Sequence, residues 1–235
     1  MNSLLDPSIL FFVFGLLAGA LRSNLEIPPP ISRFLSLYLL MALGLKGGFA
    51  LAKSGLTAEV AQSLACALLL ATVVPALGYL LLRRLLNGFD AAAVAATYGS
   101  VSAVTFISAV PYTEAHGLAP GGHIGRGDAL MARNAVPLRR MPPALLVYAL
   151  GGPLLHAALA LAAAVGLSAG NGALLMVLAA SASYIAVPAV LRQAIPEAQP
   201  ALYFGMSLGL TFPFNILLGI PLYTAVAQRV LAAPA

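Results

Sequence analysis

Two short motifs set hydroxyl groups in apolar surroundings. The first is Tyr98-Gly99-Ser100-Val101-Ser102-Ala103-Val104-Thr105, and the second is Ala180-Ser181-Ala182-Ser183-Tyr184-Ile185-Ala186-Val187-Pro188. Each carries a Ser-x-Ser pair, and Pro188 is expected to interrupt the helix ladder of the second. A helix broken at membrane depth leaves backbone N–H and C=O groups without partners. Such groups are tolerated only where they line a cavity or are buried in protein. The N-terminus of a half-helix then attracts an anion, and free carbonyls with Ser/Thr hydroxyls hold a small cation. Ser100, Ser102, Thr105, Ser181, Ser183 and Tyr184 are therefore the candidate ligand- and ion-binding residues. The plain alternative is that Ser and Thr glue packed helices together.

Three further polar residues stand in apolar runs. Lys46 lies in Leu43-Gly44-Leu45-Lys46-Gly47-Gly48, and Thr211 and Asn215 flank Phe212-Pro213-Phe214. An intramembrane cation is a functional hypothesis by default, although a lysine stem also snorkels to an interface. Thr211 and Asn215 either support the site or merely mark a kink. His116, His123 and His156 lack ligand-like spacing, so no metal site is expected beyond a site for Na+. Glu114, Asp128 and Glu197 form no paired-carboxylate pattern for acid–base work. Neither a Gly-x-Ser-x-Gly elbow nor a phosphate-binding loop is present. The single Cys66 reads as a small buried hydrophobe. No enzyme activity and no bound cofactor are expected.

The elements that must position these residues are membrane helices. Of the 235 residues, 61% are hydrophobic and 8% charged, against roughly 25% charged in soluble domains. Mean hydropathy is +0.96. No charge interrupts the chain between Glu59 and Arg83, Asp90 and Glu114, Arg140 and Arg192, or Glu197 and Arg229. About 20 apolar residues cross the hydrocarbon core. A nucleic-acid surface is excluded, and the net charge of +5 reads as cytoplasmic-loop Arg and Lys. The N-terminal stretch lacks the basic start of a secretory signal, so it is read as a membrane helix.

Helices are expected over about 7–21, 31–52, 58–86, 90–110, 143–167, 172–192 and 200–229. Asn87-Gly88 and the stretch Leu167 to Gly172 read as connections. A weak repeat relates Pro75, Asn87-Gly88 and Ser100-Val101-Ser102 to Pro153, Asn171-Gly172 and Ser181-Ala182-Ser183. With seven spans the Arg and Lys residues divide almost evenly between the two sides. A further crossing at about 122–138 gathers Arg22, Arg33, Arg83, Arg84, Arg139, Arg140 and Arg192 on one side. It also inverts the two copies, as in many transporter folds. Arg126, Asp128 and Arg133 make that crossing a poor lipid-facing helix.

The chain resembles the SbtA-type sodium-dependent bicarbonate transporter family of bacteria. The likeness is carried by Leu25-Glu26-Ile27-Pro28, Gly44-Leu45-Lys46-Gly47-Gly48 and Gly121-Gly122-His123, by both Ser-x-Ser motifs, and by Ala194-Ile195-Pro196-Glu197-Ala198 and Thr211-Phe212-Pro213-Phe214-Asn215. It covers about 8–125 and 140–230. The family implies ten helices in two inverted five-helix repeats, with a core domain that moves against a scaffold. Its broken fourth and ninth helices cross at the bicarbonate and sodium sites. By motif, Ser102 and Thr105 match hydroxyls of the first crossing helix, and Ser181 and Ser183 match those of the second. Where the cyanobacterial carriers have Ser-Gly-Ser-Thr, this chain has Ser102-Ala103-Val104-Thr105; where they have an Asp, it has Tyr184. Most of the fifth helix and all of the sixth and seventh are expected to be missing.

The expectation is thus an all-α polytopic membrane protein. It is an inverted-repeat secondary transporter with two broken crossing helices and 7–8 membrane helices instead of ten. Residues 1–110 form the first repeat, 111–142 a polar connection or remnant crossing, and 143–235 the second-repeat remnant. Its activity is sodium-dependent symport of a small anion, bicarbonate by resemblance, in the bacterial inner membrane. The alternative is a truncated, non-transporting relative that binds a ligand or partner. Expected partners are the lipid bilayer and the small anion. A homo-oligomer is left open, the family implies a PII-like soluble regulator, and no nucleic acid is expected.

Overall fold

The computed structural model describes residue 14 and residues 29–55, 57–118 and 141–231. These residues form eight helices and, among them, no strand. They are α1 (Pro29–Ser54), α2 (Ala58–Leu82), α3 (Gly88–Tyr98), α4 (Ala103–Ala115), α5 (Pro143–Ala163), α6 (Ala169–Ala180), α7 (Ala186–Ala194) and the long α8 running from Pro200 to Leu231. Among the described residues four stretches are long and apolar enough to cross a membrane: α2, the α3–α4 pair over Gly88–Ala115, α5 and α8. Apart from residue 14, the expected helix at 7–21 and the crossing at 122–138 lie outside the described residues.

Local chemistry sets the helix starts. Thr57, Asn87, Ser102 and Ser168 each cap a helix by accepting a backbone N–H three residues on. Two sequence boundaries change as a result. Asn171-Gly172 is not a connection but part of the first turn of α6, because Ser168 already caps that helix. The helix expected to end at about 110 also runs on, as α4, through Pro111 to Ala115.

The helices expected over 90–110 and 172–192 are each split in two. The first parts between Tyr98 and Ala103, the second between Ala180 and Ala186. Contrary to expectation, Pro188 does not break a running ladder. It sits in the first turn of α7, where a missing N–H leaves no bond unmade. The break itself falls on Ser181 to Ile185.

α8 is continuous but irregular. Wide π-helical turns span Gly205–Thr211 and Asn215–Gly219, on either side of Phe212–Phe214. Pro213 cannot donate to the ladder, and π turns accommodate such an interruption.

Packing sorts the half-helices into two cores. Leu70, Val104, Phe106, Leu174, Val177 and Phe212 belong to one; Leu82, Val94, Leu145, Tyr203 and Met206 belong to the other. α4 packs on α6, and α3 packs on α7. The two interrupted segments therefore cross while running in opposite directions. Outside the cores, Phe34, Leu37, Met41 and Phe49 of α1 and Leu64, Leu68 and Leu69 of α2 are exposed. Apolar faces of this kind suit lipid, not water.

Candidate functional site

The site is the place where the two breaks meet. The Ser102 N–H, at the start of α4, donates to Ser181 Oγ at 2.9 Å. In return, the Ser183 N–H donates to the Thr97 carbonyl at 2.8 Å. Each break thus satisfies a backbone group of the other. Ser102 Oγ accepts from the N–H and the hydroxyl of Thr105, at 3.2 and 3.0 Å. Ser181 Oγ donates to Leu178 O at 2.9 Å, and Ser183 Oγ accepts from the Val187 N–H at 3.3 Å. Ser102, Thr105, Ser181 and Ser183 are all buried.

Tyr184 is buried as well. Its ring meets Phe212 edge-on at 5.2 Å, and its phenol lies beside Ser102. Ser100 is half-buried and lines a small, mostly apolar cavity with Ala71, Val74, Val101, Leu175 and Leu178. The first break passes close to α2. A Cβ on Gly99 would stand 2.6 Å from the Pro75 ring, so only glycine fits there. Lys46 lies on α1, and its side chain is outside the described residues.

Thr211 and Asn215 reach the crossing from α8. The Thr211 hydroxyl donates to Ala149 O at 2.8 Å and meets the Tyr98 hydroxyl at 2.6 Å. The Asn215 amide donates to Ala180 O at 2.9 Å and accepts from the Tyr223 hydroxyl at 3.0 Å. The sequence reading missed Thr97, Tyr98 and Tyr223. One signal for Thr211 was present: Pro153 has no N–H for the carbonyl four residues before it, so Ala149 O needs a donor from elsewhere.

A second polar group sits beside the first break. Tyr98, Tyr148 and His156 meet edge-on, with ring centroids 5.1 to 6.3 Å apart. Among the described residues, Tyr148 Oη and His156 Nδ1 are buried side-chain atoms without a hydrogen-bond partner. Further out, Asp90 is buried at the start of α3. Its carboxylate accepts from Asn87 Nδ2 at 2.7 Å and from the Gln199 N–H at 2.7 Å. It thereby ties α3 to the start of α8.

The arrangement offers hydroxyls, half-helix termini and backbone carbonyls inside an apolar bundle. Among the described residues no three His, Cys, Asp or Glu side chains cluster. The fold and site define an all-helical membrane protein with two interrupted segments crossing at its centre. A family model for the Na+-dependent bicarbonate transporter superfamily matches residues 7–138 and 131–228. The chain belongs to that superfamily, which is a family of transporters and not of enzymes. No curated protein matches the chain.

Proposed function

We propose that the protein carries a small anion, bicarbonate, together with Na+ across the bacterial inner membrane. One observation carries this reading: the two breaks exchange backbone hydrogen bonds, Ser102 N–H to Ser181 Oγ and Ser183 N–H to Thr97 O. Membrane proteins keep such non-helical backbone at depth where it lines a ligand path or is sealed by protein. Half-helix N-termini favour an anion, and carbonyls with hydroxyls favour a small cation. With Tyr184 at the second break, the oxygens around it are neutral, and Na+ would rest on hydroxyls and carbonyls. Residues 1–110 and 143–235 are read as two inverted repeats joined by 111–142. The opposite directions of the two crossing segments support that reading.

Uptake of labelled bicarbonate into proteoliposomes, with and without an inward sodium gradient, tests the proposal. Uptake that needs sodium is expected. Uptake no greater than in empty vesicles would leave a ligand- or partner-binding relative instead. Ser102→Ala and Ser183→Ala should each lower uptake without reducing membrane insertion, and unchanged uptake in both would reject this site.

A further inference from the structure

Two carbonyls, Ala149 O of α5 and Ala180 O of α6, take their donors from one helix. Pro153 gives Ala149 O no intrahelical donor, and Thr211 Oγ1 supplies one. The break after α6 leaves Ala180 O at a helix end, and Asn215 Nδ2 supplies its donor. Both donors come from α8, one at the end of its first π turn and one at the start of its second.

The hydrogen count extends this hold to the first break. A threonine hydroxyl has one hydrogen, and Thr211 gives it to Ala149 O. In its contact with Thr211 the Tyr98 hydroxyl must therefore be the donor. Tyr98 is the last residue of α3, directly before the break. On the other side the Tyr223 hydroxyl donates to Asn215 Oδ1 and fixes which way the amide faces. Tyr98, Thr211, Asn215 and Tyr223 are all buried, so these bonds have no competing water.

We infer that Tyr98, Thr211, Asn215 and Tyr223 are positioning residues through which α8 makes the two breaks move together. This rests on the proposed transport reading for its meaning but not for its geometry. None of the four need touch the anion or the cation. Their role is to register both half-helix ends against a single rod. The π turns give that rod alternative registers, because closing a π turn to an α turn rotates the helix beyond it. A shift at one break would then reach the other through Thr211 and Asn215, four residues apart.

The test has one readout that does not need transport. In the full chain with Cys66→Ser, spin labels on Val101→Cys and Val190→Cys report the distance across the crossing. Both valines are exposed, one in the first break and one in α7. A single narrow distance is expected, broadened by Thr211→Val and by Asn215→Leu and restored by Thr211→Ser. An unchanged distance in both variants would overturn the inference whether or not the protein transports. Where uptake is measurable, Thr211→Val should lower its maximal rate about tenfold or more. Its KM should stay within about twofold, since no ligand contact is lost. The double variant should be no worse than the poorer single variant, as expected of groups acting as one unit. Additive losses or a matching rise in KM would also overturn it. If Thr211→Val fails to fold, Tyr98→Phe removes the hydroxyl that donates to Thr211 while keeping the ring, and the same distance readout applies.

Discussion

The Ser102 N–H and the Ser181 hydroxyl lie 2.9 Å apart, across 79 positions of sequence. Ser181 has two duties there, since its hydroxyl also donates to Leu178 O. It closes the C-terminal end of α6 and receives the first N–H of α4. Two half-helices from distant parts of the chain are joined by one oxygen. This explains why a residue as small as serine recurs where the helix ladder stops.

Ser181→Ala should destabilise the protein by about 1–3 kcal/mol. The Ser102 N–H would be left buried without an acceptor, and that cost exceeds the net worth of the bond itself. Thermal melting in detergent or nanodiscs measures it. Ser181→Thr keeps the hydroxyl and should recover most of the loss. Equal melting of the alanine variant and the wild type would mean that the N–H finds another acceptor.

Gly99→Ala should be poorly tolerated, because its Cβ would meet three atoms of the Pro75 ring at 2.6 to 2.8 Å. Overpacking of this kind costs about 1–3 kcal/mol. Pro75→Ala in the same chain should relieve the clash in part, since a Cβ 2.7 Å away remains. Melting of the two single variants and the double variant tests this. Purely additive losses would show that the two residues do not meet.

These two residues also show how much was legible in the sequence. The Ser-x-Ser pairs mark the two interrupted segments by composition, because serine supplies a donor and an acceptor where the ladder stops, whereas Pro75 and Pro153 lie inside the unbroken helices α2 and α5. The caps were less legible: Ser168 and Asn171 both suit a helix start, and the choice depends on how α5 ends. The hydrogen-bonding roles of Tyr98 and Tyr223 were not legible: Tyr98 reads only as the residue that opens the first Ser-x-Ser motif and Tyr223 as an aromatic of the last helix, and only the fold gives their hydroxyls Thr211 and Asn215 as partners. The π turns of α8 likewise have no local signature beyond Pro213.

Asp90→Ala should lower stability by about 2 kcal/mol or more. The Gln199 N–H and the Asn87 amide would both lose a charged acceptor. Asp90→Asn should also destabilise, because its amide sets a donor against donors. Yet Asp90 stands about 12 Å along α3 from Tyr98. Any uptake that remains should keep its sodium dependence and its KM. A changed KM in Asp90→Asn would mean that the start of α3 takes part in binding.

Tyr148→Phe runs opposite to most core substitutions and should leave stability unchanged or raise it. Among the described residues the Tyr148 hydroxyl is buried without a partner, so removing it deletes an unpaired polar group and keeps the ring. The edge-on contact with Tyr98 at 5.1 Å needs only that ring. The hydroxyl points at Gly78, where a Cβ would stand 2.7 Å away. Gly78→Ala should therefore destabilise the wild type and be tolerated far better with Tyr148→Phe. Melting of the four proteins of this cycle gives the coupling directly. A loss of about 1 kcal/mol or more in Tyr148→Phe alone would show that the hydroxyl has a partner after all, and the coupling with Gly78 would then reflect a ring displaced from its contact with Tyr98.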